Sequence, residues 1–356
     1  MNEPGTKQNK TPKRVTTRDI ANKLGLHFTT VAEALRGSPR VKAATRGRVE
    51  QAARKMGYFP DPVLGALNAY RNNQRHATYQ GTLSWINSYS DKNYFSQKKY
   101  GYHHDCYVGA CERAKEFGYK LDPFWLAEKD MSCTRAIEIL ENRNTAGIIV
   151  APQPEDIEDL KFPWEKFSAV SIGYSAQGVN LPTVGPNQFS NTQRAYQRAI
   201  KAGFKRIGLA GLQWVDDRVG RGHSGGFLTA RHRFGGKREA LPLFLDESIN
   251  GDPVAFMQWL TKNQPDAILT SPGSLYYDVL IEAEIKIPDD LSVIALSSPS
   301  FPTHLTGIYE SGDTVGRTAV DILVGMIRQF SRGDINHERD TLISGRWVDG
   351  ETARLS

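Results

Sequence analysis

The chain has 356 residues, which is long enough for several domains with large buried cores. No apolar run approaches the ~18 residues that a membrane span needs, so the sequence predicts a protein without a transmembrane helix. The three cysteines have no CxxC spacing, and the polar, Lys-rich amino end resembles neither a secretion signal nor a lipid anchor. These features predict a cytoplasmic protein with no disulfide framework.

Charge is distributed unevenly along the chain. Residues 1–80 hold 15 Lys and Arg against 5 Asp and Glu, whereas the other 276 residues hold 30 against 34. A basic head on a slightly acidic body is typical of a phosphate-binding module joined to a separate domain. Residues 1–14 are predicted to be a disordered basic arm ahead of that module.

The segment 15–37, VTTRDIANKLGLHFTTVAEALRG, predicts two short amphipathic helices with a tight turn at Gly25. Thr16 and Asp19 have the spacing of a capping box, and glycine allows the backbone to leave the first helix. Such a pair of helices is a helix-turn-helix, whose second helix enters the DNA major groove. The alternative is an ordinary helical hairpin with an apolar seam, and the surplus of positive charge favours the DNA-binding interpretation.

A third helix is predicted at about Ala43–Met56, closing a three-helix head over residues 15–59. The Pro-rich break at 58–62 interrupts the helical pattern, and a short helical segment at 63–71 and a polar stretch follow it. Residues 60–80 are therefore predicted to be a hinge and linker.

After Gly81, short apolar runs alternate with helical patterns, which predicts an α/β body with parallel sheets. A Pro- and Gly-rich break near 181–186 suggests two similar lobes, with a ligand cleft between them at the carboxyl ends of the strands. The predicted lobes are 81–184 plus 305–333 and 185–304 plus 334–356.

The residue pattern of the head is also typical of a known family. The body carries looser matches at 109–119 (GACERAKEFGY), 146–152 (AGIIVAP), 199–211 (AIKAGFKRIGLAG) and 287–296 (IPDDLSVIAL). The matching head positions are Val15-Thr16, Asp19-Ile20-Ala21, Gly25, Thr30-Val31, Leu35, Gly37, Ser38–Val41, Thr45, Arg48-Val49 and Gly57-Tyr58. Together they resemble the LacI/GalR family of bacterial transcriptional regulators. The resemblance implies a homodimeric, effector-gated DNA-binding protein with a periplasmic-binding-protein-like body.

The resemblance also implies roles in DNA binding. Phe28 and Thr29 open the recognition helix and would face base edges, while Thr30 would contact phosphate. Glu33 stands where the family often has a base-reading Arg; it can accept a hydrogen bond from cytosine N4, and the alternative is a solvated acid. The full predicted set is Thr16, His27, Phe28, Thr29, Thr30, Glu33, Arg36, Arg40 and Leu67.

Three positions depart from the family pattern in this region. His27 and Lys42 replace the usual capping serines, which predicts weaker caps on the second and third helices. Leu67 matches the family residue that wedges into the minor groove, although packing within the linker is the alternative. Gly65, in the same hinge, is the third departure. Because a glycine costs a helix interior up to ~1 kcal/mol, this hinge is expected to fold less readily on DNA.

The expected effector site departs further from the family. Sugar-binding members use a charged clamp, and this chain has His223, Ser271-Pro272 and Ser297-Ser298 at the corresponding places. Hydroxyl and aromatic side chains still suit a neutral saccharide, although about half of the aromatic candidates are expected to be lobe core instead. The predicted effector-binding set is Asn87, Tyr89, Phe95, Tyr174, Trp214, His223, Ser271 and Ser297.

A hydrolase motif, GxSxG, and a dinucleotide-binding motif, GxGxxG, compete with this interpretation. Residues 222–226 match GxSxG, with Ser224 as a nucleophile and His232, His304 or His337 as its base, and residues 220–225 match GxGxxG. Both motifs require a preceding strand, which the polar stretch 214–221 does not predict. The glycines are therefore interpreted as a flexible loop at a helix start.

No enzyme activity, cofactor or metal is expected from the sequence. The His103-His104-Asp105 group is too compact for one metal face and is interpreted as polarity at a helix start. The leading hypothesis is a transcriptional regulator, with repression as the default and activation left open. The alternatives are a small-molecule binding protein with a degenerate DNA head and an α/β-hydrolase that uses Ser224.

Overall fold

The computed structural model describes residues 15–35, 38, 41–58, 79–128, 131–154, 162–176, 180–298, 301–333 and 339–354. In these ranges a three-helix head precedes a body with two six-stranded sheets, so the predicted α/β class is confirmed. The predictions for Arg36, Arg40, Gly65 and Leu67 lie outside the described residues. No helix among the described residues is long and apolar enough to span a membrane.

The head consists of α1 (Thr17–Leu24), α2 (Phe28–Leu35) and α3 (Ala43–Met56). The capping box is present, since the Asp19 N–H donates to Thr16 Oγ1 at 3.3 Å and the Thr16 N–H donates to Asp19 Oδ2 at 2.7 Å. Gly25 ends α1 with a φ of 64°, a conformation that favours glycine. Ile20, Val31 and Val49, one from each helix, are fully buried and form the centre of the head.

The first lobe is built on a six-stranded sheet. Its strands are β1 (Gly81–Asn87), β2 (Tyr119–Trp125), β3 (Thr145–Val150), β4 (Ala169–Ile172), β5 (Thr183–Pro186) and β11 (Asp340–Ile343). They run parallel in the order β11-β5-β4-β3-β1-β2. Its helices are α4 (Tyr102–Glu116), α5 (Cys133–Asn142) and α11 (Gly312–Arg328), with short 3₁₀ turns at 94–96, 98–100 and 164–166.

The second lobe is built on another six-stranded sheet. Its strands are β6 (Ile207–Leu212), β7 (Phe244–Asp246), β8 (Ala267–Ser271), β9 (Ser292–Ser298), β10 (Gly307–Tyr309) and β12 (Arg346–Val348). Their order is β12-β10-β9-β8-β6-β7, and only β12 among these runs antiparallel to its neighbour. Its helices are α6 (Gln188–Lys201), α7 (Gln213–Arg218), α8 (Gly222–Phe234), α9 (Pro253–Asn263) and α10 (Gly273–Glu282).

The chain crosses between the lobes after β5, after β10 and after β11, and the expected lobe boundaries are wrong near the last two crossings. Residues 307–309, expected in the first lobe, form β10 of the second sheet, while 340–343, expected in the second lobe, pair with β5 of the first. The break near 181–186 also contains β5 itself. Strands of three or four residues carry too little apolar pattern to indicate which sheet they join.

Close packing of α11 on α4 fixes the first lobe at the crossover. A Cβ on Gly316 would lie 1.9 Å from the carbonyl oxygen of Cys106, and a Cβ on Gly109 would lie 2.2 Å from that of Asp313. Because no side chain fits at either position, the two helix backbones meet directly. The start of α11 is therefore held firmly beside the cleft.

Candidate DNA-binding head and effector cleft

The start of α2 faces solvent. Phe28 is 44% exposed, while Val31 and Ala34 turn the opposite side of the helix into the core of the head. The Phe28 ring lies 4.7 Å from the His27 ring and 5.7 Å from the guanidinium carbon of Arg18. A helix start that presents an apolar ring and a hydroxyl to solvent is able to contact base edges in a major groove.

His27 contacts the backbone at the start of α2, where the family usually has a capping serine. The Thr29 N–H donates to His27 Nδ1 at 3.4 Å, and Thr29 Oγ1 lies 2.7 Å from the same nitrogen. Since a backbone N–H only donates, this geometry fits the tautomer in which Nδ1 accepts. Lys42 makes no side-chain cap on α3, as the sequence predicts.

The outer surface of the head is positively charged. Glu33 is half-buried and is the acid on the α2 surface, whereas Asp19 is engaged by the Thr16 cap. The exposed cations on the described part of the head are Arg18, Lys23, Lys42, Arg48, Arg54 and Lys55. This charge suits a phosphate backbone on either side of the recognition helix.

Buried polar side chains of the second lobe meet around His223. Its ring Nε2 lies 3.1 Å from Ser271 Oγ and its Nδ1 lies 3.3 Å from Thr192 Oγ1. Burial lowers the pKa of His223 to about 4, with Asp216 acting in the opposite direction, so the ring is neutral at pH 7. Asp216 Oδ1 accepts the N–H groups of His223 and Ser224, both at 3.1 Å, while its buried Oδ2 has no hydrogen-bond partner within the part of the chain that the structure describes.

Glu310 is a buried acid at the crossover between β10 and α11. Ser297 Oγ donates to Glu310 Oε2 at 2.9 Å, and Gln188 Nε2 donates to Glu310 Oε1 at 3.5 Å. Burial raises the pKa of Glu310 to about 7, and the two hydrogen bonds act against that shift. Sequence reasoning missed Glu310; the available signal was an acid directly after a short buried strand.

An aromatic group from the first lobe faces Arg218 of α7. The rings of Tyr89 and Tyr94 stack with centroids 3.8 Å apart, and Tyr94 Oη lies 3.0 Å from His103 Nδ1. Burial raises the pKa of Tyr89 and the neighbouring Arg218 lowers it; Arg218 also donates to the Gln153 carbonyl, so it bridges the two lobes. Burial lowers the pKa of His103 to about 4, with Arg218 adding to the effect; the histidine belongs to this cluster and is more than helix-start polarity.

Comparison with protein-family models gives two matches. Residues 16–61 match the bacterial regulatory proteins of the lacI family, and residues 196–353 match the periplasmic binding protein-like domain. The first match covers the helix-turn-helix, and the second covers the second lobe with the carboxyl-terminal crossovers. The chain belongs to the LacI family.

Relatives of this LacI-family chain extend over most of its length. The ribose operon repressor of Escherichia coli (strain K12) is 24% identical over 328 residues, covering 88% of this chain and 93% of that protein. The repressor CytR of the same strain is 25% identical over 330 residues, covering 88% and 90%. These relatives are repressors, and the chain is a DNA-binding transcriptional regulator with an effector-binding body, not an enzyme.

Solved structures with the same fold include two full-length neighbours. The complex of the regulator CelR with cellobiose has a TM-score of 0.56 at 17% identity and covers 95% of this chain and 100% of that one. The lac repressor dimer bound to operator and an anti-inducer has a TM-score of 0.52 at 19% identity and covers 96% and 99%. At these identities the likeness establishes the fold.

Four of the expected effector residues of this LacI-family chain have other contacts in the structure. Phe95 is 3% exposed and packs on Trp85 in the core of the first lobe, so its assignment to a pocket wall is wrong. The Asn87 amide shapes its own loop, since Oδ1 accepts the Tyr89 N–H at 2.8 Å. Trp214 Nε1 donates to the Ile249 carbonyl at 3.0 Å. Tyr174 is 38% exposed, and its pKa is raised by burial and by Asp340 on the edge strand β11.

The catalytic motif has a structural explanation in this LacI-family body. Ser224 lies inside α8, which follows α7 rather than a strand, and its Oγ lies 3.5 Å from the carbonyl oxygen of Arg221. The glycines are not a flexible loop, because a Cβ on Gly226 would lie 2.5 Å from the Phe189 carbonyl oxygen. They let α8 pack directly against α6. Across the described residues, no group of three or more His, Cys, Asp or Glu is placed to hold a metal ion.

Proposed function

We propose that this regulator is a cytoplasmic homodimeric repressor whose recognition helix reads an operator and whose cleft binds a small neutral saccharide. The observation that carries the proposal is the solvent-exposed start of α2, with Phe28 44% exposed on a basic head. Two such heads on a dimer would contact successive major grooves of a pseudo-palindrome. A dimer seated on a promoter would block transcription.

The proposed DNA contacts follow the exposed face of α2. Phe28 and Thr29 would contact base edges, and Thr30 would contact phosphate. Glu33 would accept a hydrogen bond from cytosine N4, which makes it a determinant of sequence preference. The proposed minor-groove wedge at Leu67 rests on the family resemblance alone.

The proposed effector contacts come from the polar clusters around the cleft. His223, Ser271 and Ser297 would fix ligand hydroxyls. The buried acceptors Gln153 Oε1 and Asp216 Oδ2 have no hydrogen-bond partner among the described residues, and they suit hydroxyl donors. The face of the Tyr89 ring that is not stacked on Tyr94 would offer a flat apolar surface. Two relatives point the same way, since one is named a ribose operon repressor and another was solved with cellobiose.

Binding would act through the arrangement of the lobes. Arg218 joins the lobes through Gln153 and Tyr89, so a ligand that displaces or reinforces this bridge favours one lobe arrangement over the other. DNA binding would favour one of the same two arrangements. Differential affinity for them is sufficient to couple effector and operator.

The experiment has a DNA arm and a ligand arm, both with the full chain. Duplexes are selected from genomic fragments, and Phe28→Ala is compared with Gln51→Ala, an exposed position on α3. We expect Phe28→Ala to weaken binding to the selected duplex at least tenfold and Gln51→Ala to leave it nearly unchanged. Equal binding of selected and random duplexes would contradict the DNA-binding proposal.

The ligand arm measures thermal unfolding with a panel of pentoses, hexoses and disaccharides. A ligand at a hundred times its dissociation constant adds about 2.7 kcal/mol of stability. We expect one saccharide to raise the unfolding temperature of the wild type and not that of His223→Ala. If no saccharide stabilises the protein while nucleosides or other small molecules do, the saccharide assignment is wrong.

A further inference from the structure

The DNA-binding head rests on the first lobe of the same chain. Phe330, which follows α11, is 8% exposed and belongs to the apolar cluster that forms the core of the head. Arg332 forms an ion pair with Glu50 of α3, and Arg46 Nη2 lies 3.5 Å from Asn144 Oδ1. An apolar contact, an ion pair and a polar contact therefore join head and lobe.

Burial makes the charged part of this contact sensitive to the loss of a partner. Glu50 is 9% exposed, and burial raises its pKa while Arg332 and Arg46 lower it. Burial also lowers the pKa of Arg46. Burial has already removed Glu50 and Arg46 from water. Removal of Arg332 would therefore leave the Glu50 carboxylate buried with one fewer positive partner, which strongly destabilises the docked state.

The docking residues lie at the far end of the helix that starts beside the effector cleft. α11 begins at Gly312, two residues after Glu310, and its 17 residues span about 25 Å. Its first half is fixed to α4 through the contact of Gly316 with Cys106. One rigid helix therefore connects the cleft to the surface on which the head rests.

Docking leaves the recognition surface accessible. The contact uses α3 and the end of α2, where Ala34 and Leu35 line a cavity of about 390 Å³ between head and lobe. Phe28 and Thr29, at the other end of α2, remain exposed. A docked head is thus able to present the start of its recognition helix to DNA.

We propose that the end of α11 is a docking site for the DNA-binding head of the same chain, formed by Phe330 and Arg332, and that docking holds the head in the orientation that binds the operator. The inference rests on the proposed DNA-binding function. A head held in place loses less orientational freedom on binding DNA than a free one. Coupling between two sites is typically 5- to 150-fold in affinity, and one ion pair is expected at the low end, at about five- to tenfold.

The test compares Arg332→Gln with Lys166→Gln in the full chain. Lys166 lines the same cavity, but its partner is Glu141 of the first lobe, 3.4 Å away, so its loss removes a charge without touching the head. Phe330→Ser is a second variant, which removes the apolar contact without changing the charge near DNA. Hydrogen exchange of the α3 amides in the absence of DNA reports docking, and fluorescence anisotropy with a selected duplex reports operator affinity.

We expect Arg332→Gln and Phe330→Ser to raise the exchange of α3 and to weaken operator binding about five- to tenfold, with Lys166→Gln close to the wild type in both. If α3 exchange is unchanged in both variants, the docking site is refuted. If exchange rises while operator affinity stays the same or increases, docking does not orient the head for DNA and the proposal is wrong. If the wild type binds no duplex at all, the proposed function fails, while the exchange data still report whether the head docks.

Discussion

Replacement of Glu310 by glutamine is expected to change how stability depends on pH. Burial raises the pKa of Glu310 from 4.5 to about 7, so the folded protein holds a proton that the unfolded chain releases between these values. The contribution of Glu310 to stability therefore falls as the pH rises from about 4.5 to about 7 and becomes constant above that range. The glutamine side chain of Glu310→Gln would keep a carbonyl acceptor for Ser297 Oγ but does not titrate in this range.

The size of the effect follows from the shift. One pKa unit corresponds to 1.36 kcal/mol, and linkage with values of 4.5 and about 7 gives a loss of about 2.5 kcal/mol in the contribution of Glu310 between pH 5 and pH 8. Urea unfolding of the wild type and Glu310→Gln gives, for each protein, the change in the free energy of unfolding between pH 5 and pH 8. The difference between these two changes measures the contribution of Glu310. We expect Glu310→Gln to gain about 2.5 kcal/mol on the wild type between pH 5 and pH 8.

Glu282→Gln is the matched control, because Glu282 is an exposed acid at the end of α10. It is expected to follow the wild type at both pH values. Parallel pH profiles for the wild type and Glu310→Gln would mean that Glu310 titrates alike in the folded and unfolded chains, which contradicts a raised pKa in the folded protein.

Three further predictions test the local structure. Gly226→Ala places a Cβ 2.5 Å from the Phe189 carbonyl oxygen and should lower the free energy of unfolding by about 1–3 kcal/mol. Gly225→Ala, whose Cβ would have its nearest atoms at 3.8 Å, should not lower it, and equal stabilities of the two variants would contradict the packing of α8 on α6. Thr16→Ala removes the capping box and should destabilise the head by about 1 kcal/mol, which faster hydrogen exchange of the α1 amides would show. Unchanged exchange would show that the cap contributes nothing to stability. A thiol reagent should modify the exposed Cys133 rapidly, but it should modify Cys106 only on unfolding, because Cys106 is buried and burial raises its pKa. Rapid labelling of Cys106 in the native protein would contradict the packing of the first-lobe core.

The head was predictable because its signals are local. Thr16, Asp19 and Gly25 act within one or two helical turns, and the structure has the same capping box and left-handed turn. The role of His27 was less predictable, because a histidine caps a helix only in a particular rotamer and tautomer. The structure shows that rotamer, with Nδ1 facing the Thr29 N–H.

The cleft was less predictable because its parts come together only through the crossovers. Gln188 lies 122 residues from Glu310 in the chain, and the two meet, together with Ser297, where two connections between the lobes run side by side. Phe95 follows the first strand in a loop, which suggested a pocket wall, but the loop folds back on Trp85. Sequence spacing does not indicate which way such a loop turns.

Salt dependence of binding to a selected duplex measures whether the basic head neutralises duplex DNA while α2 reads it. If about six phosphates are engaged per dimer, log K should fall with log salt concentration with a slope of about −5 between about 50 and 200 mM. Anisotropy titrations that give such a slope, with weaker binding for Phe28→Ala at every salt concentration, would support the account. A slope near zero would contradict it.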